Sequence, residues 1–236
     1  MHSMKLLWKT ETDYETNRGG DYARIIDDGD TIYVPRSGNR TNKKIAIRYI
    51  AVDKATGTIK NNVPQRTETY TLQDHISFDA KEYRSGDMIL RAKRFIDKDS
   101  HVIECLQNGK TLWEFRHKAY LYTDITERNG RVIFGTDGLG SMLYCLDIAT
   151  GTPLYEIKTH FSGFYDYKGF NFYKENLIVY GRGTLAAVDF TTGRIVDEYK
   201  IPRKYPYRSF LTVLNGCAYC CVLTDDNRST VLCFEL

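Results

Sequence analysis

One unit recurs along the chain and limits what it can fold into. Ala51–Asn61 (AVDKATGTIKN), Cys145–Glu156 (CLDIATGTPLYE) and Ala187–Glu198 (AVDFTTGRIVDE) each join an apolar strand end to an Asp, a Thr-Gly turn and a second short apolar segment. Glu104–Phe115 (ECLQNGKTLWEF) is a weaker copy with Asn-Gly at the turn. The turn glycines Gly57, Gly109, Gly151 and Gly193 stand 52, 42 and 42 residues apart. A repeat of roughly 40–50 residues built from short strands has the period of four-stranded propeller blades.

The strands inside each unit are legible. In the third unit, YLYTDI, RVIFGT, MLYCLD and PLYEIK are separated by ERNG, DGLGS and IATG; in the fourth, GFNFY, LIVYG, TLAAVD and RIVDEYK repeat the order. Short runs rich in Val, Ile, Tyr and Phe between Asn-Gly or Gly turns are strand and hairpin signals. No window sustains a helical i, i+3, i+4, i+7 apolar pattern. After Tyr207 the chain offers three strands (RSFLTV, CAYCCVL, STVLCFEL) and no outermost fourth, while KLLWKTE at the N-terminus has the look of the missing one. Trp8, Asn61, Trp113, Tyr155 and Asp197 fall at matching places in five successive units. The expectation is an all-β fold: one domain over residues 1–236, a five-bladed propeller of four-stranded antiparallel blades. The N-terminal strand closes the last blade and removes its open sheet edge.

The apolar strand, the Asp, the Thr-Gly turn and the following Leu-Trp or Leu-Tyr resemble the quinoprotein-type, PQQ-like propeller repeat. The match is strongest at Cys145–Glu156 and Ala187–Val196, and fair at Ala51–Gly57 and Asn108–Glu114. It departs at Asp197, where the family pattern has an aromatic, and in the first two units, which carry longer insertions. The resemblance implies the propeller fold. The family's quinone-dependent dehydrogenases are much larger and carry a disulfide-and-calcium site with no counterpart in these residues, so the reading assigns no cofactor. Fold alone does not give function.

Composition narrows the classes further. A net charge of +3 over 236 residues is too small to imply a nucleic-acid partner. No stretch approaches the ~20 apolar residues that cross a bilayer, so no membrane role is expected. MHSMKLLWKTE lacks an apolar run of signal-peptide length, which points to the cytoplasm and to six reduced Cys rather than a disulfide framework. Cys217-Ala-Tyr-Cys220-Cys221, with Cys233 nearby, contains a C-x-x-C step, but in a strand residues three apart face opposite sides, so no metal is assigned. The five His form no metal-binding spacing, and no G-x-S-x-G elbow occurs. Gly181-Arg182-Gly183 and Asp27-Asp28-Gly29-Asp30 read as hairpins, not as a phosphate loop or a calcium loop. The reading assigns no catalytic residue and no enzymatic activity.

In a propeller the blade-to-blade loops and the loops between second and third strands share one face. Here that face collects Tyr14 and Arg18, Arg66, Tyr70 and His75, Arg116, His117 and Tyr120, and His160 with its aromatic followers. Arg36, Arg40, Lys43 and Lys44 belong to it as well, while ERNG, KEN, IATG and FTTG trim the other face. Tyr and Arg bury large rigid area while keeping a polar handle, the combination that supplies interface energy. About half of the tyrosines on this face are expected to pack between blades instead. The expected function is a non-catalytic module that binds a partner protein, acidic at its contact surface, as a dedicated inhibitor such as a bacterial toxin-neutralising immunity protein. The expected contacts are Tyr165, Tyr167, Arg203, Tyr205, Tyr207 and Arg208, with Arg36, Arg40 and Lys43 steering. The alternatives are a lectin, although these repeats are not near-identical as lectin repeats are, and an enzyme with a central-funnel site.

Overall fold

The computed structural model describes residues 4–12, 25–40, 44–71, 82–95, 100–121, 123, 125–137, 142–158, 170–181, 184–202, 207–223 and 229–236. Strand β1 (Lys5–Thr12) is followed by four strands of a first blade, β2 (Ile26–Asp28), β3 (Thr31–Arg40), β4 (Lys44–Asp53) and β5 (Arg66–Thr71). The second blade is β6 (Glu82–Ser85), β7 (Met88–Phe95), β8 (Ser100–Gln107) and β9 (Lys110–His117). The third is β10 (Tyr120–Leu121), β11 (Thr126–Arg128), β12 (Arg131–Asp137), β13 (Met142–Asp147) and β14 (Pro153–Lys158). The fourth is β15 (Asn171–Tyr173), β16 (Asn176–Gly181), β17 (Thr184–Asp189) and β18 (Ile195–Lys200). The fifth is β19 (Tyr207–Leu214), β20 (Cys217–Leu223) and β21 (Ser229–Glu235), with β1 outermost, paired antiparallel to β21. This is the five-bladed propeller expected from the repeat, closed by the N-terminal strand.

One blade departs from the expected plan. YLYTDI is not a continuous inner strand: β10 and β11 each pair with β12, and Thr123 interrupts them. The Thr123 hydroxyl accepts a 2.8 Å hydrogen bond from the Gly135 amide, a bond a strand would have made with backbone. A side-chain oxygen that imitates the ladder lets the chain turn away without leaving Gly135 unpaired.

Blades pack face to face through four buried clusters. The largest fills the seam between blades four and five with Ile178, Tyr180, Leu185, Leu211, Cys220, Leu232 and Phe234. Trp8, Ile32, Val34, Val52, Tyr219 and Cys233 fill the seam from blade five to blade one. Alternation along β20 divides its side chains between these two seams: Ala218, Cys220 and Val222 face blade four, whereas Tyr219 and Cys221 face blade one. The C-x-x-C cysteines therefore point to opposite sides, as the strand reading requires.

The repeated Asp and Thr-Gly have one job. Asp53 Oδ1 accepts from the amides of Ala55 (3.1 Å) and Thr56 (2.9 Å) and from the Thr56 hydroxyl (2.9 Å). Asp147 and Asp189 repeat these bonds with Thr150 and Thr192. The hydroxyl of Thr56 and of Thr150, and the amide of Thr192, lead the interactions that hold the three carboxyl groups below the usual carboxylate range. Each glycine then receives a ring from the preceding blade: a Cβ on Gly57 would stand 2.6 Å from Trp8, one on Gly151 2.5 Å from Trp113, and one on Gly193 2.6 Å from Tyr155. The ring heads donate to the same turns, Trp8 Nε1 to Lys54 O (2.9 Å), Trp113 Nε1 to Ile148 O (2.9 Å) and the Tyr155 hydroxyl to Phe190 O (3.1 Å).

A β-bulge aims each ring. The register skips Leu7 between Leu6 and Trp8, Leu112 between Thr111 and Trp113, and Leu154 between Pro153 and Tyr155. The extra residue turns the ring sideways toward the neighbouring blade and leaves its own aliphatic side chain half exposed. The Leu of the Leu-Trp signature is a consequence of geometry, not a sticky surface.

Candidate protein-binding face

Connection lengths divide the molecule into two ends. On the end that holds the Thr-Gly turns, every inner hairpin has two linking residues: 29–30, 86–87, 129–130, 174–175 and 215–216. Asn129-Gly130 and Asn215-Gly216 adopt positive φ at both positions, the two-residue turn whose twist suits paired strands. On the opposite end the blade-to-blade segments run over 13–25, 72–81, 118–119, 159–170 and 201–206, while the Thr-Gly end also carries the connection 54–65. Long connections carried on a rigid scaffold are where binding residues accumulate.

Of the residues expected to make contact, Tyr165, Tyr167, Arg203, Tyr205 and Lys43 lie outside the described residues. Arg36, Arg40, Tyr207 and Arg208 lie on strands rather than in loops. RSGNRTNKK is mostly an extension of the β3–β4 hairpin, which pairs as far as Arg40 with Ile45, so only residues 41–43 link the strands. Arg36 occupies a bulge between Pro35 and Ser37, and β19 bulges at the corresponding level between Arg208 and Phe210. Tyr207 pairs with Leu223 and Arg208 with Val222 at the start of β19. These four residues thus stand toward the long-looped end of blades five and one, which share a buried seam.

Other residues expected in loops are not there. Arg66 and Tyr70 belong to β5, and Arg116 and His117 to β9. Arg66 binds Glu68 through Nη2 at 2.8 Å and stacks over Tyr33, 5.4 Å from the ring centroid, so its charge is already engaged. His117 is buried: its ring stacks on His101 (5.6 Å) and Phe115 (6.4 Å) and tilts against Phe134 and Tyr144, and its Nδ1 bonds Ala119 O at 2.8 Å. The strand extends two residues past the point where the apolar pattern fades, because Phe115 and His117 keep the alternation inward. That alternation was the signal that separates His117 from a surface residue.

Several tyrosines outside that face are structural. Tyr49, Tyr180 and Tyr219 are buried, and Tyr155 spends its hydroxyl on a backbone carbonyl. Among the described residues no group of three or more His, Cys, Asp or Glu is placed to hold a metal ion.

Comparisons with known proteins add names but little reach. No protein-family model matches the sequence, and no curated protein matches it. Among solved structures, the chain is similar to a computationally designed protein called Ika8, at 12% identity over 90% of this chain and 70% of the other, with a TM-score of 0.48. It is also similar to BamB from Moraxella catarrhalis, at 12% identity over 98% of both chains with a TM-score of 0.43. A europium-containing methanol dehydrogenase matches 94% of this chain and 51% of its own, at 13% identity and a TM-score of 0.38. The propeller assignment rests on the strand order and the seams described above, not on these likenesses.

Proposed function

We propose that this chain is a non-catalytic propeller that binds a partner protein on its long-looped end, in the cytoplasm, as a dedicated inhibitor of the toxin-neutralising immunity kind. The observation that carries the reading is the contrast between the two ends: five two-residue hairpins on one, and connections such as 13–25 and 159–170 on the other. The long connections hold Tyr165, Tyr167, Tyr205 and Arg203, the adjoining strand ends hold Tyr207, Arg208 and Arg40, and Arg36 stands at the β3 bulge. A broad aromatic and basic surface suits a protein better than a small ligand, which prefers a concave apolar pocket. Basic residues at its rim set association rate and salt sensitivity for an acidic partner, whereas buried tyrosines govern dissociation.

The test is co-purification of wild type and the Tyr205→Ala/Tyr207→Ala double variant, followed by cross-link mapping of the footprint. The double variant is expected to weaken binding by about 2 kcal/mol or more if the tyrosines are anchors. A footprint on the Thr-Gly turns, with the double variant binding as tightly as wild type, overturns the reading.

A further inference from the structure

Two cysteines meet at the seam that closes the propeller. β20 and β21 pair with Cys217 opposite Glu235 and Tyr219 opposite Cys233. Cys217 and Cys233 therefore lie diagonally on one face of the sheet, and their thiols are in contact. That face packs on blade one, where Tyr219 and Cys233 are fully buried. Cys217, first residue after the Asn215-Gly216 turn, packs against the same cluster while remaining partly exposed. The two thiols neighbour each other and flank the buried Tyr219 hydroxyl. Burial, reinforced by Cys217, holds the Cys233 thiol well above the ordinary thiol range. Cys105 and Cys145 sit in other blades, Cys220 faces blade four, and Cys221 lies on the opposite diagonal from Cys233.

We propose that Cys217 and Cys233 are a redox pair that a low-molecular-weight disulfide converts to an intramolecular disulfide, with Cys217 reacting first. Exposure decides the order, since only Cys217 can be reached from solvent and a buried, protonated thiol is a poor nucleophile. The Cys217 thiolate attacks one sulfur of the oxidant, whose S–S bond breaks, and one thiol leaves with a mixed disulfide on Cys217. Cys233, as thiolate, then attacks Cys217 Sγ and expels the second thiol. The two cysteines lose two electrons and two protons, and the oxidant is reduced to two thiols. The new bond ties β20 to β21, the strand on which the closing strand β1 docks. This inference stands apart from the binding role proposed above.

The test treats the folded, full-length protein with oxidised glutathione, traps remaining thiols by alkylation in acid, and maps peptides by mass spectrometry. The expected result is loss of two of the six thiols, a Cys217–Cys233 cross-linked peptide and no retained glutathione. Cys233→Ser is expected to stop at a glutathione adduct on Cys217, and Cys217→Ser to leave Cys233 unmodified. A lasting adduct on Cys217 in wild type overturns the proposal. So does a bond from Cys233 to Cys221, or silence at both thiols under conditions in which the denatured chain reacts.

Discussion

The seam between blades two and three and the seam between blades one and two solve the same packing problem with different chemistry. At the first, Trp113 lies on Gly151 and donates to Ile148 O, and Leu90, Ile103, Cys105, Val132, Phe134 and Leu146 bury one another. At the second, no ring meets Gly109, where a Cβ would find nothing within 4 Å. The faces turned toward that seam carry charge. Tyr49 donates to Glu68, Arg66 binds Glu68 and stacks on Tyr33, and on the other side Glu104 gathers Arg91, Lys93 and Thr111. Ile47, Tyr49 and Ala51 are buried yet belong to none of the four clusters. Where blade one lacks the ring, the polar groups turned toward the seam on each side pair within their own blade. Four seams carry a buried apolar cluster, three of them with a ring set on a turn glycine, whereas the faces turned toward this one carry charged pairs.

The comparison breaks most visibly at the glycines. Gly151 and Gly109 share a positive φ, +69° and +74°, so alanine at either strains the backbone by about 1 kcal/mol. Only at Gly151 would the new methyl also collide with Trp113, at 2.5 Å, and a fully packed indole cannot yield cheaply. Adding the overpacking cost gives about 3 kcal/mol or more for Gly151→Ala and about 1 kcal/mol for Gly109→Ala. Urea unfolding measures both. Equal losses would mean that ring docking contributes nothing to the seam.

Acid should separate the two seams as well. Burial, with His101 beside it, pushes the His117 imidazole down to about 4, against the opposing pull of the Ala119 carbonyl. The fold prefers the neutral ring, so its contribution is complete above pH about 6.5, where the unfolded chain is neutral too. It is lost as pH falls from there to about 4, over which span only the unfolded chain takes the proton. That difference corresponds to about 3 kcal/mol. In His117→Phe the fall in stability across this window should shrink by a similar amount, measured by urea unfolding at several pH values. A variant that keeps the wild-type slope places the acid sensitivity elsewhere.

The contrast between seams also separates what the sequence reveals from what it hides. Local chemistry is written in local residues: Asp53, Thr56 and Gly57 specify a turn whatever surrounds them, and Asn129-Gly130 specifies a hairpin. Blade number follows because these signals recur, and the role of β1 follows because β21 would otherwise present an open edge. Pairing across blades is not local. Asn61 occupies the place of Trp8 in the repeat, but it is exposed, and among the described residues no atom would stand within 4 Å of a Cβ at Gly109. Asp197, at the same place in blade four, instead accepts the Met4 amide at 2.6 Å, a contact spanning nearly the whole chain. Arg66 reads as a loop residue until β4 is placed beside it, and the β3–β4 extension shows only in the register. Of the residues expected to bind, Arg36 and Arg40 lie on β3 and Tyr207 and Arg208 on β19, strands of two adjacent blades.

The smallest expected effect sharpens the comparison most, because it asks how tightly the charged seam is sealed. Glu104 is 3% exposed and takes Arg91 Nε and Lys93 Nζ on one oxygen, each at 2.7 Å, and the Thr111 hydroxyl on the other at 3.0 Å. Burial alone would raise its pKa, but Lys93, Arg91 and Thr111 together outweigh that and hold it below the ordinary carboxylate range. Its contribution is therefore present above the unfolded value near 4.5 and is lost as pH falls through the lower folded value. Removing one partner of a fully buried pair costs roughly 3–5 kcal/mol, because a bare charge stays behind. Arg91 and Lys93 are 41% and 33% exposed, so once released they can turn to water. Glu104→Gln keeps the shape and the Thr111 contact, and the expected cost at neutral pH is about 1–2 kcal/mol, near that of losing charge-assisted hydrogen bonds. The variant should also lose stability less steeply than wild type below pH about 4.5, while keeping the His117 slope above it. A cost as large as that of a sealed pair would show that blade one closes over Arg91 and Lys93, making this seam as dry as the one Trp113 locks.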